Sequence, residues 1–268
     1  MIEVLEYGFM QRAFLAGLMI AFICAVLGVF LVLKRLSLIG DGLAHVAFGG
    51  VALGFLLEVN PILAAMGVCL VAAFAMYRLT YGSHLYGETA IGIMVAAGLS
   101  TGVVLISLAE GFTTDLFSFL FGSILTVTTF DLWLTFSLGI VVLISVYYYY
   151  RELVFICFDE ESAQAAGINV KWLNILLNVL AAITVVISIR LVGVLLVSAL
   201  IVVPTATSLI LARSFKQTLM YAVAVALVSV VSGLLASFYW DLAAGGAIVL
   251  SAVLLFMFAL GAKKVLLT

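Results

Sequence analysis

Apolar runs of about 20 residues follow one another along almost the whole chain, and this repetition leaves few folds open. A run of that length crosses the roughly 30 Å hydrocarbon core of a bilayer as a helix. In lipid each backbone N–H and C=O must be bonded inside the protein, which selects helices over open strands. The runs fall near 9–33, 42–57, 62–79, 90–108, 132–150, 173–189, 192–212, 218–238 and 245–260. The first two, and the sixth and seventh, can be divided differently. The expected fold is therefore all-α, a polytopic transmembrane bundle of about eight to nine helices in one domain, residues 1–268. Only 9% of the 268 residues are charged, against roughly 25% in a soluble domain, so no water-facing domain is expected. Segment 113–129 is only half apolar. It predicts a short helix that lies in the interface or re-enters under protein cover.

Lysine and arginine set the expected orientation. Lys34, Arg35, Arg78, Arg151, Lys171, Arg213, Lys216, Lys263 and Lys264 all fall on one side of a nine-helix arrangement, and only Arg12 and Arg190 fall opposite. This predicts an N-terminus outside and a cytoplasmic C-terminus. The N-terminus carries no basic region ahead of its first apolar run, which is long enough to remain a spanning helix rather than a cleaved signal. No Gly-x-x-x-x-Gly-Lys-Ser/Thr loop is present, so ATP hydrolysis through that device is excluded, and no His-Glu-x-x-His occurs. No basic patch is large enough for nucleic acid. The three cysteines, Cys24, Cys69 and Cys157, share no ligand spacing and read as small core residues.

A few polar residues stand out against this apolar background. Asp41 and His45 are four apart at the start of the second run, hence on one helix face. Both are ligand types for divalent transition metals, and an ionisable pair inside a membrane helix is costly unless it meets a partner, a cavity or an ion. The competing reading is an Asp–His hydrogen bond that fixes the helix start. His84 and Glu88 share the same spacing, but Gly87 between them weakens the helix, and Glu88 reads mainly as an N-terminal helix charge. Pro204 interrupts the seventh run, flanked by Ser198, Thr205, Thr207 and Ser208. It marks a hinge, a path-lining break or an inert kink whose freed carbonyls the hydroxyls help satisfy. Glu110, Asp115, Asp131 and Asp241 map to the outer face, as acceptors for an ion or as solvated loop charges. In the polar loop 158–170, Asp159 fits an N-cap and Glu160 and Glu161 a first turn; beyond Ser162, Ala163, Ala165 and Ala166 favour a short helix, and Gly167 fits its stop. Such an element either inserts into a groove on a cytoplasmic partner or simply connects two spans.

Taken in order, four stretches resemble the permease subunits of bacterial ABC importers for zinc, manganese or iron. They are Arg-Leu-Ser-Leu-Ile-Gly-Asp-Gly-Leu-Ala-His at 35–45, Glu-Thr-Ala-Ile-Gly-Ile at 88–93, Asp-Leu-Phe-Ser-Phe-Leu-Phe-Gly at 115–122 and the apolar stretch 192–207 with its Pro-Thr-Ala-Thr end. The resemblance runs from about residue 9 to 260. It implies a multi-pass protein of the bacterial cytoplasmic membrane that works as a dimer. Two cytoplasmic ATPase subunits would bind the ATP, and an extracellular or periplasmic binding protein would deliver the metal. It also implies that 159–167 is the coupling helix that docks on the ATPase. Segments 49–61 and 237–241 are similar to zinc permeases, which are typically homodimers, so zinc is the first expected cargo. No cofactor is expected on the chain, and the metal is a transported substrate.

On this reading Asp41 and His45 line the path, and a two-fold dimer would offer two carboxylates and two imidazoles, enough for tetrahedral zinc. His84, Glu88 and Asp241 are weaker metal candidates, and Ser198, Pro204, Thr205 and Thr207 are candidates for gating or lining. The alternative is a secondary transporter driven by an ion gradient, although the chain shows no convincing inverted repeat. An intramembrane acid–base enzyme lacks a nucleophile to pair with Asp41 and His45.

Overall fold

A computed structural model describes residues 6–82, 87–108 and 114–267. It contains α1 (Gly8–Leu33), α2 (Ile39–Leu56), α3 (Pro61–Gly82), α4 (Gly87–Leu108), α5 (Thr114–Phe121), α6 (Thr129–Tyr148), α7 (Tyr150–Phe158), α8 (Glu160–Ala165), α9 (Val170–Val192), α10 (Val197–Leu211), α11 (Phe215–Trp240) and α12 (Ala244–Leu267). Among the described residues there is no strand. Eight helices are long and apolar enough to cross a membrane. The polytopic helical bundle read from the sequence is borne out, with one correction. The run at 192–212 does not form a spanning helix of its own. α9 continues to Val192, the chain breaks, and α10 has only 15 residues, about 22 Å of helix against a core of roughly 30 Å.

The break follows from glycine rather than proline. Gly193 has φ +88, a left-handed conformation open to glycine without steric cost. It caps α9 with its N–H donated to Ile189 O at 2.8 Å. The chain then meets the end of α5. Val194 N–H donates to Phe119 O at 2.9 Å, and Ser123 N–H to Arg190 O at 3.1 Å. The irregular backbone at the break is thus satisfied by protein, as lipid surroundings demand, and segment 113–129 holds a short helix, α5, as expected. Helix α10 runs unbroken through Pro204. Thr205, Thr207 and Ser208 donate their hydroxyls to Ile201 O, Val203 O and Thr205 O at 3.2, 2.8 and 2.7 Å, so these side chains are spent on their own helix.

Polar residues fix the helix starts. Thr128 and Asp131 form a reciprocal capping box at α6, while Asn169 and Ser214 cap α9 and α11. At the end of α6, Tyr149 adjoins a continuation, α7, which the sequence reading merged with the connector. The aromatic side chains Phe30, Tyr150, Phe158 and Phe215 pack edge-on or tilted at this end of the bundle.

Helix α2 lies between α3 and α4 at backbone distance. A methyl added at Gly98 of α4 would sit 2.6 Å from backbone atoms of His45 and Val46, and one at Gly50 of α2 would sit 2.6 Å from the Cα of Ala65 in α3. Gly42 adjoins Ile91 and Gly49 adjoins Gly98 and Gly102, so α2 and α4 run parallel. Small residues allow this approach, which dispersion and packing then stabilise in lipid. We expect Gly98→Val to force α2 and α4 apart, at a cost of about 1–3 kcal/mol, whereas Gly92→Val, with nothing within 4 Å of its added carbon, leaves stability unchanged. Thermal unfolding of both variants in detergent measures the difference, and equal melting temperatures would contradict this packing.

Candidate metal path

Asp41 occupies the first turn of α2 and His45 the next turn. The side chains face each other with His45 Nε2 3.8 Å from Asp41 Oδ1, and are 15% and 39% exposed respectively. At 3.8 Å the two atoms are too far apart for a hydrogen bond. The Nδ1 of His45 is buried and has no hydrogen-bond partner. The competing reading, an Asp–His hydrogen bond that fixes the helix start, therefore does not match the geometry. Both imidazole nitrogens are uncommitted, in surroundings where a buried polar atom without a partner is unfavourable.

The pair borders the start of α10. Gly40 packs against Ile201 and Ser198 of α10, and Gly28 of α1 packs against the same Ile201 and Thr205. Ser198, in the first turn of α10, donates its hydroxyl to Asp41 Oδ1 at 3.4 Å. Asp41 therefore adjoins the N-terminal turns of two helices, where partial positive charge collects. Ser198 is the one member of the Ser198, Pro204, Thr205 and Thr207 set that the structure brings to the pair. Pro204, Thr205 and Thr207 are buried in α10 and make no break there.

Among the described residues no group of three His, Cys, Asp or Glu is close enough to hold a metal ion. One copy of the chain offers one carboxylate and one imidazole here. Glu88 is exposed on the first turn of α4, as a helix charge should be, and His84 and Glu110 lie outside the described residues. Asp241 caps α11 in a left-handed conformation, φ 51, and lines a cavity of about 390 Å³ with Phe9, Ser123 and Phe238. That cavity is formed at the far end of α11, away from the pair. Asp131 is not a free outer carboxylate. It is 5% exposed, closes the capping box of α6, and lies 3.6 Å from Arg190 Nε. Arg190 also donates to Thr126 O at 3.0 Å and stacks over Phe119, which accounts for a cation on the side expected to be poor in them.

At the opposite end, α8 forms as the loop pattern predicted. Asp159 caps it, accepting from Ser162 N–H at 3.0 Å, and Gly167, φ +87, ends it after Ala166. The Ser162 hydroxyl and then its N–H hold the Asp159 carboxyl below the usual carboxylate range. Glu161 and Ser162 are exposed and Ala163 is buried. Sequence reasoning missed what Glu160 does: it accepts from Lys34 Nζ, which also donates to Asn174 Oδ1. The basic residue ending a long apolar run was legible, but its partner 126 positions away was not. Cys157 donates its thiol to Phe30 O at 3.7 Å, and burial pushes its pKa up to about 12. Cys24 pairs with Ser188 and Cys69 with Leu43 O, so all three thiols are core groups.

The sequence matches the ABC 3 transport family over residues 6–263. It is 33% identical over 255 residues to the "Manganese transport system membrane protein MntC" of Listeria innocua, covering 95% of this chain and 91% of that one. It is 34% identical over 249 residues to the "High-affinity zinc uptake system membrane protein ZnuB" of Haemophilus influenzae, covering 92% and 95%. Among solved structures, a chain of PsaBC from Streptococcus pneumoniae in complex with Fab superposes with a TM-score of 0.85 at 31% identity, covering 96% of this chain and 92% of that one. Fold, length and sequence agree over nearly the whole chain: it belongs to the ABC 3 transport family, as a multi-pass permease of a bacterial membrane.

Proposed function

We propose that this chain is the permease subunit of an ATP-driven importer of a divalent transition metal, with Asp41 and His45 as its transient ligands. The observation that carries the reading is the pair itself: a carboxylate and an imidazole on one face of a packed membrane helix, 3.8 Å apart and not hydrogen-bonded to each other, with the imidazole Nδ1 buried and unpartnered. Two copies related by a two-fold axis supply two of each donor. Oxygen and nitrogen donors without thiolate suit zinc and manganese alike, and hold an ion less firmly than a structural four-cysteine site. Zinc remains the first cargo on the sequence resemblance, with manganese next and then iron. The relatives support the metal class, and they carry manganese and zinc names at nearly equal identity.

The same reading assigns the remaining parts. The end carrying Lys34, Arg78, Lys171 and α8 is cytoplasmic, and the N-terminus is outside. Two separate ATPase subunits dock on α8, residues 159–167, and hydrolyse the ATP, so the permease itself is no enzyme. An external binding protein delivers the ion to the face near Asp241. Ser198 positions Asp41, and the Gly193–Leu196 break sets where α10 begins.

The test is metal uptake by cells lacking their own zinc importer, expressing this chain with its ATPase and binding protein, with radioactive zinc and manganese supplied in parallel. Asp41→Ala and His45→Ala should each lower uptake at least about tenfold, consistent with loss of a liganding group, while the protein still inserts. Near-normal uptake by both variants would remove the site. Uptake that survives an ATPase-dead partner would replace the powered importer with a gradient-driven one.

Helix α8 gives a second prediction. Asp159→Ala removes the cap and should reduce ATPase docking, measured by copurification, whereas Asp159→Ser keeps a capping oxygen and should retain it. Because the folded carboxyl titrates below its unfolded value, the cap is fully present above about pH 4 and is lost as pH falls through the lowered folded value. Docking should therefore be flat between about pH 5 and 8 as far as this group is concerned; a loss in that window that disappears in Asp159→Ser would contradict it.

A further inference from the structure

Lys34 ends α1 with its side chain only 3% exposed. A buried ammonium is unfavourable unless it is paired and hydrogen-bonded. Its partners come from two other elements: Glu160, the first residue of α8, and Asn174 in the second turn of α9. Asn174 Nδ2 also donates to Glu160 Oε1 at 3.4 Å, so the three groups close a triangle. Helix α8 is six residues long with Ala163 as its buried residue, and it has little apolar surface by which to hold on to the bundle. The Lys34–Glu160 pair is its polar tether.

The other side of Lys34 leads directly to Asp41, seven residues further along the chain. The connection between α1 and α2 has no slack. Lys34 N–H donates to Phe30 O, Arg35 N–H to Val32 O and Leu36 N–H to Leu31 O at 3.1, 3.0 and 2.8 Å. Arg35 takes the left-handed conformation, φ 60, which is unfavourable outside glycine and persists where the surroundings impose it. Ile39 N–H then donates to Leu36 O and Asp41 N–H to Leu38 O, both at 3.0 Å. Backbone hydrogen bonds thus hold this turn at Lys34–Leu36 and again at Ile39 and Asp41.

We propose that Lys34 is a positioning residue that joins α8 to the Asp41–His45 pair: displacement of α8 is delivered through Glu160 to the end of α1, and from there through the pinned turn to the start of α2. This rests on the transport reading above and names the residue by which ATP hydrolysis reaches the site. Lys34 itself touches no cargo.

The experiment uses the whole transporter in proteoliposomes, measuring ATP hydrolysis and uptake of radioactive zinc and manganese in the same preparation. The decisive variant is the double Lys34→Met, Glu160→Met. Removing both members together leaves no unpaired charge at the buried Lys34 position, and copurification of the ATPase, which docks on the helix that carries Glu160, counts the assembled transporters to which both rates are referred. Each assembled transporter of this variant should still hydrolyse ATP, while uptake per ATP falls about tenfold or more. Lys34→Arg should keep most of the coupling, and the charge exchange Lys34→Glu with Glu160→Lys should recover part of it. Uptake per ATP at the unmodified level in the double variant overturns the proposal, as does a parallel fall of hydrolysis and uptake, which is what a purely structural role gives. Asp41→Ala separates the two ideas. If it abolishes uptake while the double variant stays fully coupled, the site stands and the tether falls. If Asp41→Ala transports normally, the site reading falls first.

Discussion

The close approach of α2 to its neighbours is the constraint from which the rest of this bundle follows. In lipid there is no hydrophobic drive between helices, so association depends on how many atoms reach van der Waals contact. Gly50 and Gly98 remove the side chains that would hold α3 and α4 away from α2. With its backbone fixed on both sides, α2 presents Asp41 and His45 at a defined place. The third side is α10, whose first turn abuts Gly40. A helix shorter than the hydrocarbon core can begin within the bundle because α5 supplies backbone partners that the α9–α10 break exposes. Packing at α2 and the broken segment are thus parts of one arrangement around the pair.

Much of this was legible from the chain alone. Eight of the nine apolar runs became helices of spanning length, because an apolar stretch of that size has few alternatives. The capped loop at Asp159 was readable, since capping is local: donor, acceptor and glycine stop all lie within nine residues. The Asp41–His45 face was readable for the same reason, the i, i+4 geometry being a property of the helix itself.

What the sequence hid was long-range or depended on backbone conformation. Proline at 204 drew attention as a break, yet a proline can be carried inside a membrane helix where nearby groups compensate it, and the true break sits at Gly193. Nothing local distinguishes Gly193 from the other glycines; its φ is set by the end of α5. Asp131 looked like one more outer carboxylate because its capping box is local but its cation, Arg190, is 59 residues away. Lys34 was counted only for its sign. Its burial depends on Glu160 and Asn174, which arrive from elements late in the chain.

Under the transport function proposed above, the convergence of the α2 and α10 N-termini on Asp41 bears on selectivity among cations. Each helix end carries about half a positive charge, so the two together offset much of the carboxylate's field before any ion arrives. Magnesium and calcium, hard ions that favour oxygen ligands, find little net charge to draw them in at this point. The imidazole of His45 then weighs more heavily, and imidazole suits transition metals better than it suits the alkaline earths. Under the proposed function, a membrane site built this way would sort ions by the chemistry of its donor atoms, in surroundings where the ions to be rejected carry the same charge as the cargo.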